Sequence, residues 1–343
     1  MALASVVFVE ASAYRRVGAR MLVDSDGNWV GGISGGCLEG DALRRSQKAI
    51  FNQEASIVTY DTMDDDSNQL GVGLGCNGLI KVLFHPIDKD DKENPIEVLR
   101  KVSIQRNPSL LLKMVSSNTA FAKMGKTLLL ESPFVADDYW GISKDRWTPC
   151  IEEVQASRRP KVFNLKFEDQ HLEVLVEYVR PEMDLVIVGD NKDVVPLLNI
   201  AHELGWNTQV VGRKRKMIKE IVQRTQSVID YDAIETIELH PYSAVIVMTH
   251  DFNKDKGILP FLLASVSPYI GLLGPKKRTE KLNEALRLEQ YSNFKALHGP
   301  TGLDIGAESP EEIALSIIAE VIASFRSRKG GYLRERKKPI HKD

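Results

Sequence analysis

The sequence predicts an α/β protein: a small N-terminal α/β domain, a β-rich middle segment, and a C-terminal domain built on a doubly wound parallel sheet. Two observations carry this reading. The chain opens with apolar strands and a glycine-flanked turn leading into one helix, and from residue 184 short apolar runs alternate with helical spacing in a βαβ pattern. A chain of 343 residues exceeds one ordinary core, so two domains are expected, at residues 1–180 and 184–325, with a basic tail at 326–343.

Residues 3–9 (LASVVFV), 19–23 (ARMLV) and 29–33 (WVGGI) read as strands, the last two joined as a hairpin across Asp24-Ser25-Asp26-Gly27-Asn28. The stretch GGISGGCLEG at 31–40 then places five glycines around Cys37. Glycine loses more conformational entropy on folding than any other residue, so local geometry or a close ligand must require this density. Leu38, Ala42, Leu43, Ala49 and Ile50 recur at helical spacing, which puts Cys37 at a strand-to-helix turn. A second cluster, LGVGLGCNG at 70–78, sets Gly75 and Cys76 just before an apolar strand at 79–84. Residues 86–97 (PIDKDDKENPIE) are charged and proline-bounded and predict a surface loop. From about 100 to 180 the text reads as β-rich, with VFNLKFE and HLEVLVEYV pairing around Asp169-Gln170, and carries no recognisable chemistry.

At 184 the pattern changes. DLVIVG (184–189) reads as a buried strand, followed by a helix over about 193–204 and a second strand, TQVVG (208–212), within one βαβ unit. SAVIVMTHD and YIGLLGP repeat the form, each an apolar strand ending in polar or glycine-rich text, so the domain is Rossmann-like. The last helix is marked by Ser309 at the N-cap, Pro310 at the first helical position and Glu312 three residues on, with Ile313, Ile317, Val321 and Phe325 along one face.

Composition narrows the function classes. With 43% hydrophobic and 27% charged residues and a net charge of -2, the chain has no general attraction to nucleic acid or membrane, and no apolar run approaches the ~20 residues of a membrane span. The opening MALASVVFVEAS lacks the basic n-region of a secretion signal, which predicts a cytoplasmic protein. Three cysteines, Cys37, Cys76 and Cys150, predict reduced thiols rather than a disulfide framework.

Candidate chemistry falls in two places. A thiol at a helix N-terminus can ionise at roughly pH 3.5–7.5, so Cys37, with Gly35 and Gly36 admitting a bulky partner, is a candidate metal ligand or nucleophile. Cys76 with Gly75 is the second candidate, and Cys150 lacks such a setting. In a parallel sheet, ligands bind outside the carboxyl ends of the strands. Those ends carry Asp190, Asn191 and Lys192, then Arg213 and Arg215, His250 and Asp251, Lys276, Lys277 and Arg278, and the segment with His298 and Asp304. Cations in a first helical turn oppose the macrodipole, and a bound anion would reverse that cost. The plainer alternative is that they point into water. A dinucleotide is disfavoured: Asn191 stands where a second glycine should let the backbone approach a pyrophosphate, and Gly212 where an acid should bind a ribose hydroxyl.

Taken together, SAYRRVGARMLV with GGISGGCLEGD, LGVGLGCNG, VMTHDFNKD, YIGLLGPKKRTEKL, HGPTGLDIGAESPEEIALSIIAEVIA and GGYLRERKKPIH resemble the XdhC/CoxI family of accessory proteins for xanthine dehydrogenase and related molybdenum hydroxylases. The likeness spans roughly 1–85 and 184–341. It implies a maturation factor, not an enzyme, that binds the molybdenum cofactor (molybdopterin with its metal), promotes its sulfuration with a cysteine desulfurase, and delivers it to an apo xanthine dehydrogenase-type enzyme. It implies Cys37 and Cys76 near the metal, cationic groups such as Lys276 and Arg278 at the phosphate, and a homodimer. The chain departs from the family at Asn191, Lys192, Gly212 and Asn77, which weakens a nucleotide role further, and it begins directly in its first strand where relatives commonly carry a helix, so a truncated or misassigned start is expected. The competing readings are an NADP- or flavin-dependent oxidoreductase, which the same substitutions oppose, and a structural zinc protein, which needs four ligands where two cysteines are suitably set.

Overall fold

The structure is a computed structural model that describes residues 1–11, 15–61, 78–119, 123–167 and 169–337. The chain divides into two compact units, Met1–Pro181 and Glu182–Asp343.

The first unit begins with strands β1 (Ala2–Ala11), β2 (Arg20–Val23) and β3 (Trp29–Gly31), helix α1 (Glu39–Asn52), and strands β4 (Ser56–Asp61) and β5 (Gly78–Pro86). They form an antiparallel sheet in the order β3-β2-β1-β5-β4. Turn chemistry sets the β2–β3 hairpin: the Asp24 carboxylate accepts the amides of Asp26 and Asn28, and Met21 pairs with Gly31. Gly31 adopts φ +85°, and a Cβ there would collide with the Arg20 carbonyl oxygen, so this position admits only glycine. One sheet face buries Ala2, Ala4 and Val6 against Leu38, Ala42 and Ala49 from the α1 side.

A second antiparallel sheet follows, built from β6 (Ser109–Ser117), β7 (Thr127–Glu131), β8 (Lys161–Phe167) and β9 (Gln170–Val179) in the order β7-β6-β9-β8, with helices α2 (Pro95–Ser103) and α3 (Lys144–Ser157). Trp147, Ile151 and Val154 of α3 cover Leu110, Leu112 and Met114. The two sheets of this unit meet through Val7, Leu83, Val115 and Leu175. Polar groups extend that contact: the Lys113 ammonium donates to Ser5 Oγ at 2.9 Å, both residues only 2% exposed, and Arg20 pairs with Glu177. Burial first, and the Arg20 charge second, pushes the Lys113 pKa down to about 7, with Glu177 opposing.

Three features of this unit depart from the sequence reading. The charged loop expected over 86–97 ends early, because Asn94 accepts the Ile96 and Glu97 amides and Pro95 starts α2. The stretch read as β-rich contains the end of α2 and all 14 residues of α3. Trp147, Cys150, Ile151 and Val154 carry a helical period there, but Pro149 inside the helix obscures it. Strand β4 has no counterpart in the sequence reading; among the described residues it pairs with β5 alone and ends the strand order.

The second unit contains β10 (Asp184–Val188), α4 (Val194–Glu203), β11 (Asn207–Val211), α5 (Lys219–Arg224), β12 (Ser227–Ile229), β13 (Ser243–Val247), α6 (Phe252–Leu263), β14 (Tyr269–Leu272), α7 (Lys276–Leu286), β15 (Leu297–His298) and α8 (Pro310–Phe325). The six strands form a parallel sheet ordered β12-β11-β10-β13-β14-β15, the arrangement 3-2-1-4-5-6 of a doubly wound dinucleotide-type fold. Every residue of β10 and β13 is buried because both faces are covered. Helices α4 and α8 pack on one face, and α6 and α7 on the other. The Ser309–Glu312 capping box begins α8 as the sequence indicates.

Candidate functional site

In the first unit, the turn before α1 is organised by two residues that the sequence reading passed over. The Glu39 carboxylate accepts the Ser34 amide at 2.8 Å, the Gly36 amide at 3.0 Å and the Ser34 hydroxyl, while Ser34 Oγ accepts the Leu38 amide at 3.0 Å. Burial opposes ionisation of Glu39, but the bonds from Ser34 and Gly36 outweigh it and hold its carboxyl below the usual value. The glycine-rich loop therefore supplies its own anion: amides that would cradle a phosphate already bind Glu39. Only the spacing of Ser34 and Glu39 across the turn hinted at this clamp.

Gly35, Gly36 and Cys37 are exposed on the outside of the clamped turn, with the Cys37 thiol unpaired to any disulfide. A Cβ placed at Gly36 or Gly40 would meet nothing within 4 Å, so the space around this thiol is open. Cys37 stands one residue ahead of the α1 N-cap, Leu38. Below it Asp41 accepts the Tyr60 hydroxyl at 2.7 Å and pairs with Arg44 and Arg45, which ties the first turn of the helix to β4. Chemically the arrangement offers one accessible sulfur on a fixed backbone, suited to a soft metal or to sulfur transfer. Gly75 and Cys76 lie outside the described residues. Cys150 is buried in α3, and burial raises its pKa, which makes it a packing residue. Among the described residues no group of three or more His, Cys, Asp or Glu side chains is set to hold a metal ion.

In the second unit, the residues expected to share one polar crevice are divided by the sheet. On the α4 and α8 face a small pocket of about 80 Å³ is walled by Leu197, Met248, Leu273 and Ile313 together with the carboxylates of Asp193 and Glu308. His250, at φ +56°, places Nε2 3.5 Å from Asp193 Oδ2. Two acids beside an apolar floor disfavour a phosphate there. Asp251 caps α6 by accepting the Asn253 and Lys254 amides, a structural task.

The dinucleotide positions are filled from within. Asn191 donates through Nδ2 to the Met248 carbonyl at 2.9 Å and accepts the Asp193 amide. Asp190 pairs with Arg213, whose hydrogen bonds hold the Asp190 carboxyl below its ordinary value. A Cβ at Gly212 would lie 2.7 Å from Asp190 Cβ, so no ribose-binding acid fits.

On the opposite face, Lys276 and Lys277 are exposed at the start of α7, but Arg278 is not available as an open cation. Its Nε and Nη2 donate to Asp255 Oδ2 at 2.8 and 2.5 Å, and Thr249 donates to Asp255 Oδ1 at 2.5 Å. Asp255 is 1% exposed, so its buried charge requires this partner. The pairing spans 23 positions and leaves no local sequence signal. His298, the last residue of β15, is engaged within the fold: its ring stacks on Tyr269 at 4.2 Å and approaches Glu320 at 3.5 Å. Burial and the bond to Glu320 raise the Tyr269 pKa, and Thr301 shares its hydroxyl at 2.6 Å. Asp304 is exposed on the loop before α8.

Two family models match the chain: the XdhC and CoxI family over residues 1–61 and the XdhC Rossmann domain over residues 185–321. A Bacillus subtilis protein described as a probable xanthine dehydrogenase subunit is 29% identical over 325 residues, covering 93% of this chain and 92% of the relative. The molybdenum cofactor insertion chaperone PaoD of Escherichia coli is 22% identical over 329 residues, or 94% and 83% of the two chains. A crystal structure described as a xanthine dehydrogenase from Bacillus halodurans superposes with a TM-score of 0.74 at 30% identity, covering 96% of this chain and 92% of that one. With both characteristic regions matched and the fold shared over nearly the whole length, this chain belongs to the XdhC and CoxI family.

Proposed function

We propose that the protein is an accessory factor for xanthine dehydrogenase-type molybdenum enzymes, which carries their molybdenum–pterin cofactor as cargo and turns over no substrate of its own. The observation that carries the reading is the exposed Cys37 sulfur on a turn fixed by Glu39 and Ser34, in open space left by Gly36 and Gly40. A thiolate is a soft donor matched to a metal already bound by dithiolene sulfur. The names of the Escherichia coli and Bacillus subtilis relatives support the same assignment.

Within this reading Cys37 is the metal-side ligand, with Cys76 as a second thiol, and the cations of the second unit, Lys276 among them, are separate candidates for binding a phosphate. Gly35, Gly36 and Gly75 give access, whereas of the other residues grouped with them in the sequence, His250 pairs with Asp193, Asp251 caps α6, His298 stacks on Tyr269 and Asp304 is exposed on the loop before α8, so these four do not line one crevice. A cysteine desulfurase delivering sulfur to the held cofactor, an apo-enzyme receiving it, a homodimeric carrier and a cytoplasmic site of action complete the proposal. No helix of the described residues is long and apolar enough to cross a membrane. The test is retention of molybdenum and pterin after anaerobic gel filtration: wild type should retain both and Cys37→Ala should lose most of each. Equal retention by a folded Cys37→Ala variant would remove Cys37 from the site.

A further inference from the structure

We propose that the groove between the starts of α6 and α7 binds a phosphate monoester carried on a flat heteroaromatic ring, with Lys277 and Lys281 holding the phosphate and Phe252 against the ring. The inference rests on the cargo reading above only for which monoester is taken. The groove, about 430 Å³, is lined by Phe252, Pro275, Lys277, Arg278 and Lys281, a size suited to a small molecule. It lies beyond the carboxyl ends of β13 and β14, where this fold class places ligands.

Charge selects the ligand. Lys277 and Lys281 stand four residues apart on one face of α7, and among the described residues neither has an ion-pair partner. Like charges at that spacing repel, and cations in the first turn oppose the helix dipole, so the empty groove is electrostatically unfavourable. The α7 N-cap is Pro275, with no side-chain cap on the first-turn amides. A dianion reverses each of these terms at once. Arg278 plays a different part: Asp255 neutralises and orients it, so it forms a fixed wall that cannot swing toward solvent. Two ammonium groups then match a monoester, which carries about -1.5 to -2 at neutral pH, better than a singly charged diester. Half-buried Phe252 gives the wall an aromatic surface on which a planar ring can stack.

The test uses the full chain at low salt, with calorimetric titration of inorganic phosphate, AMP and adenosine, beside the gel-filtration retention of the molybdenum–pterin cargo. AMP should bind more tightly than inorganic phosphate, and adenosine should not bind. Combining Lys277→Gln with Lys281→Gln should weaken AMP at least tenfold, while Phe252→Leu should weaken AMP and leave inorganic phosphate within twofold. Loss of cargo retention in the double lysine variant identifies the pterin phosphate as the monoester; loss of AMP binding alone identifies a nucleotide. Cys37→Ala, whose effect on cargo tests the other reading, should leave AMP titration unchanged, so the two ideas fail separately. If neither AMP affinity nor cargo retention responds to the double lysine substitution, the groove assignment is overturned.

Discussion

Replacing Lys113 by methionine should flatten the stability of the first unit against pH. Lys113 is 2% exposed between two sheets, its one neutral partner is Ser5, and its pKa sits at about 7 against an ordinary 10.5. The gap of about 3.5 pH units corresponds to about 5 kcal/mol, at about 1.4 kcal/mol per unit, by which the buried charge opposes folding at low pH. The sign follows from a lowered folded-state pKa on a base: between pH 7 and 10.5 the unfolded chain binds the extra proton, so stability rises with pH. Well below pH 7 both states are protonated and the penalty is constant. From pH 7 to 9 the wild type should gain about 2 kcal/mol through this residue alone. Urea unfolding followed by tryptophan fluorescence suits the measurement, because Trp147 is fully buried in the same unit. The advantage of Lys113→Met over wild type should shrink by about 2 kcal/mol between pH 7 and 9 and level off below about pH 6. A difference that is constant from pH 7 to 9 would refute the buried-charge account.

His85, pushed down to about 4 mainly by burial, acts with the same sign in a more acid window: it is neutral in the fold, so stability should fall as pH drops from 6.5 toward 4, and His85→Leu should remove up to about 3 kcal/mol of that loss in acid unfolding curves. Arg278→Met strands the buried Asp255 carboxylate and should cost about 3–5 kcal/mol in chemical denaturation, whereas Lys277→Gln should stay within about 0.5 kcal/mol. Glu39→Ala empties the amide nest before α1 and should lower stability by about 1–3 kcal/mol, with faster hydrogen exchange at Gly36. NAD at millimolar concentration should give no saturable thermal shift, since Asn191, Asp190 and Arg213 occupy its positions; a shift of several degrees would contradict this.

Much of the architecture is written in short-range patterns. The Asp24–Asn28 turn specifies the hairpin, the Ser309–Glu312 box starts α8, and the apolar runs at DLVIV and SAVIV announce strands buried on both faces. The turn bearing Cys37 is legible for the same reason, since glycine density and helical spacing are properties of neighbours in the chain. Helix α3 hid behind Pro149, where a local rule pointed away from the tertiary outcome.

By itself, then, the sequence determined the doubly wound C-terminal domain, the glycine-rich turn bearing Cys37 and the damaged dinucleotide fingerprint, each a matter of residues within a few positions of one another. Only the tertiary structure decided which charges are free to act. Arg278 is spent on Asp255 while Lys277 and Lys281 line the groove; Glu39 fills the nest beside Cys37; and Lys113 meets Ser5 across 108 positions. The reason is physical: hydrophobic period and turn chemistry act along the chain, whereas the partner of a buried charge is set by which strands and helices the sheet order brings together.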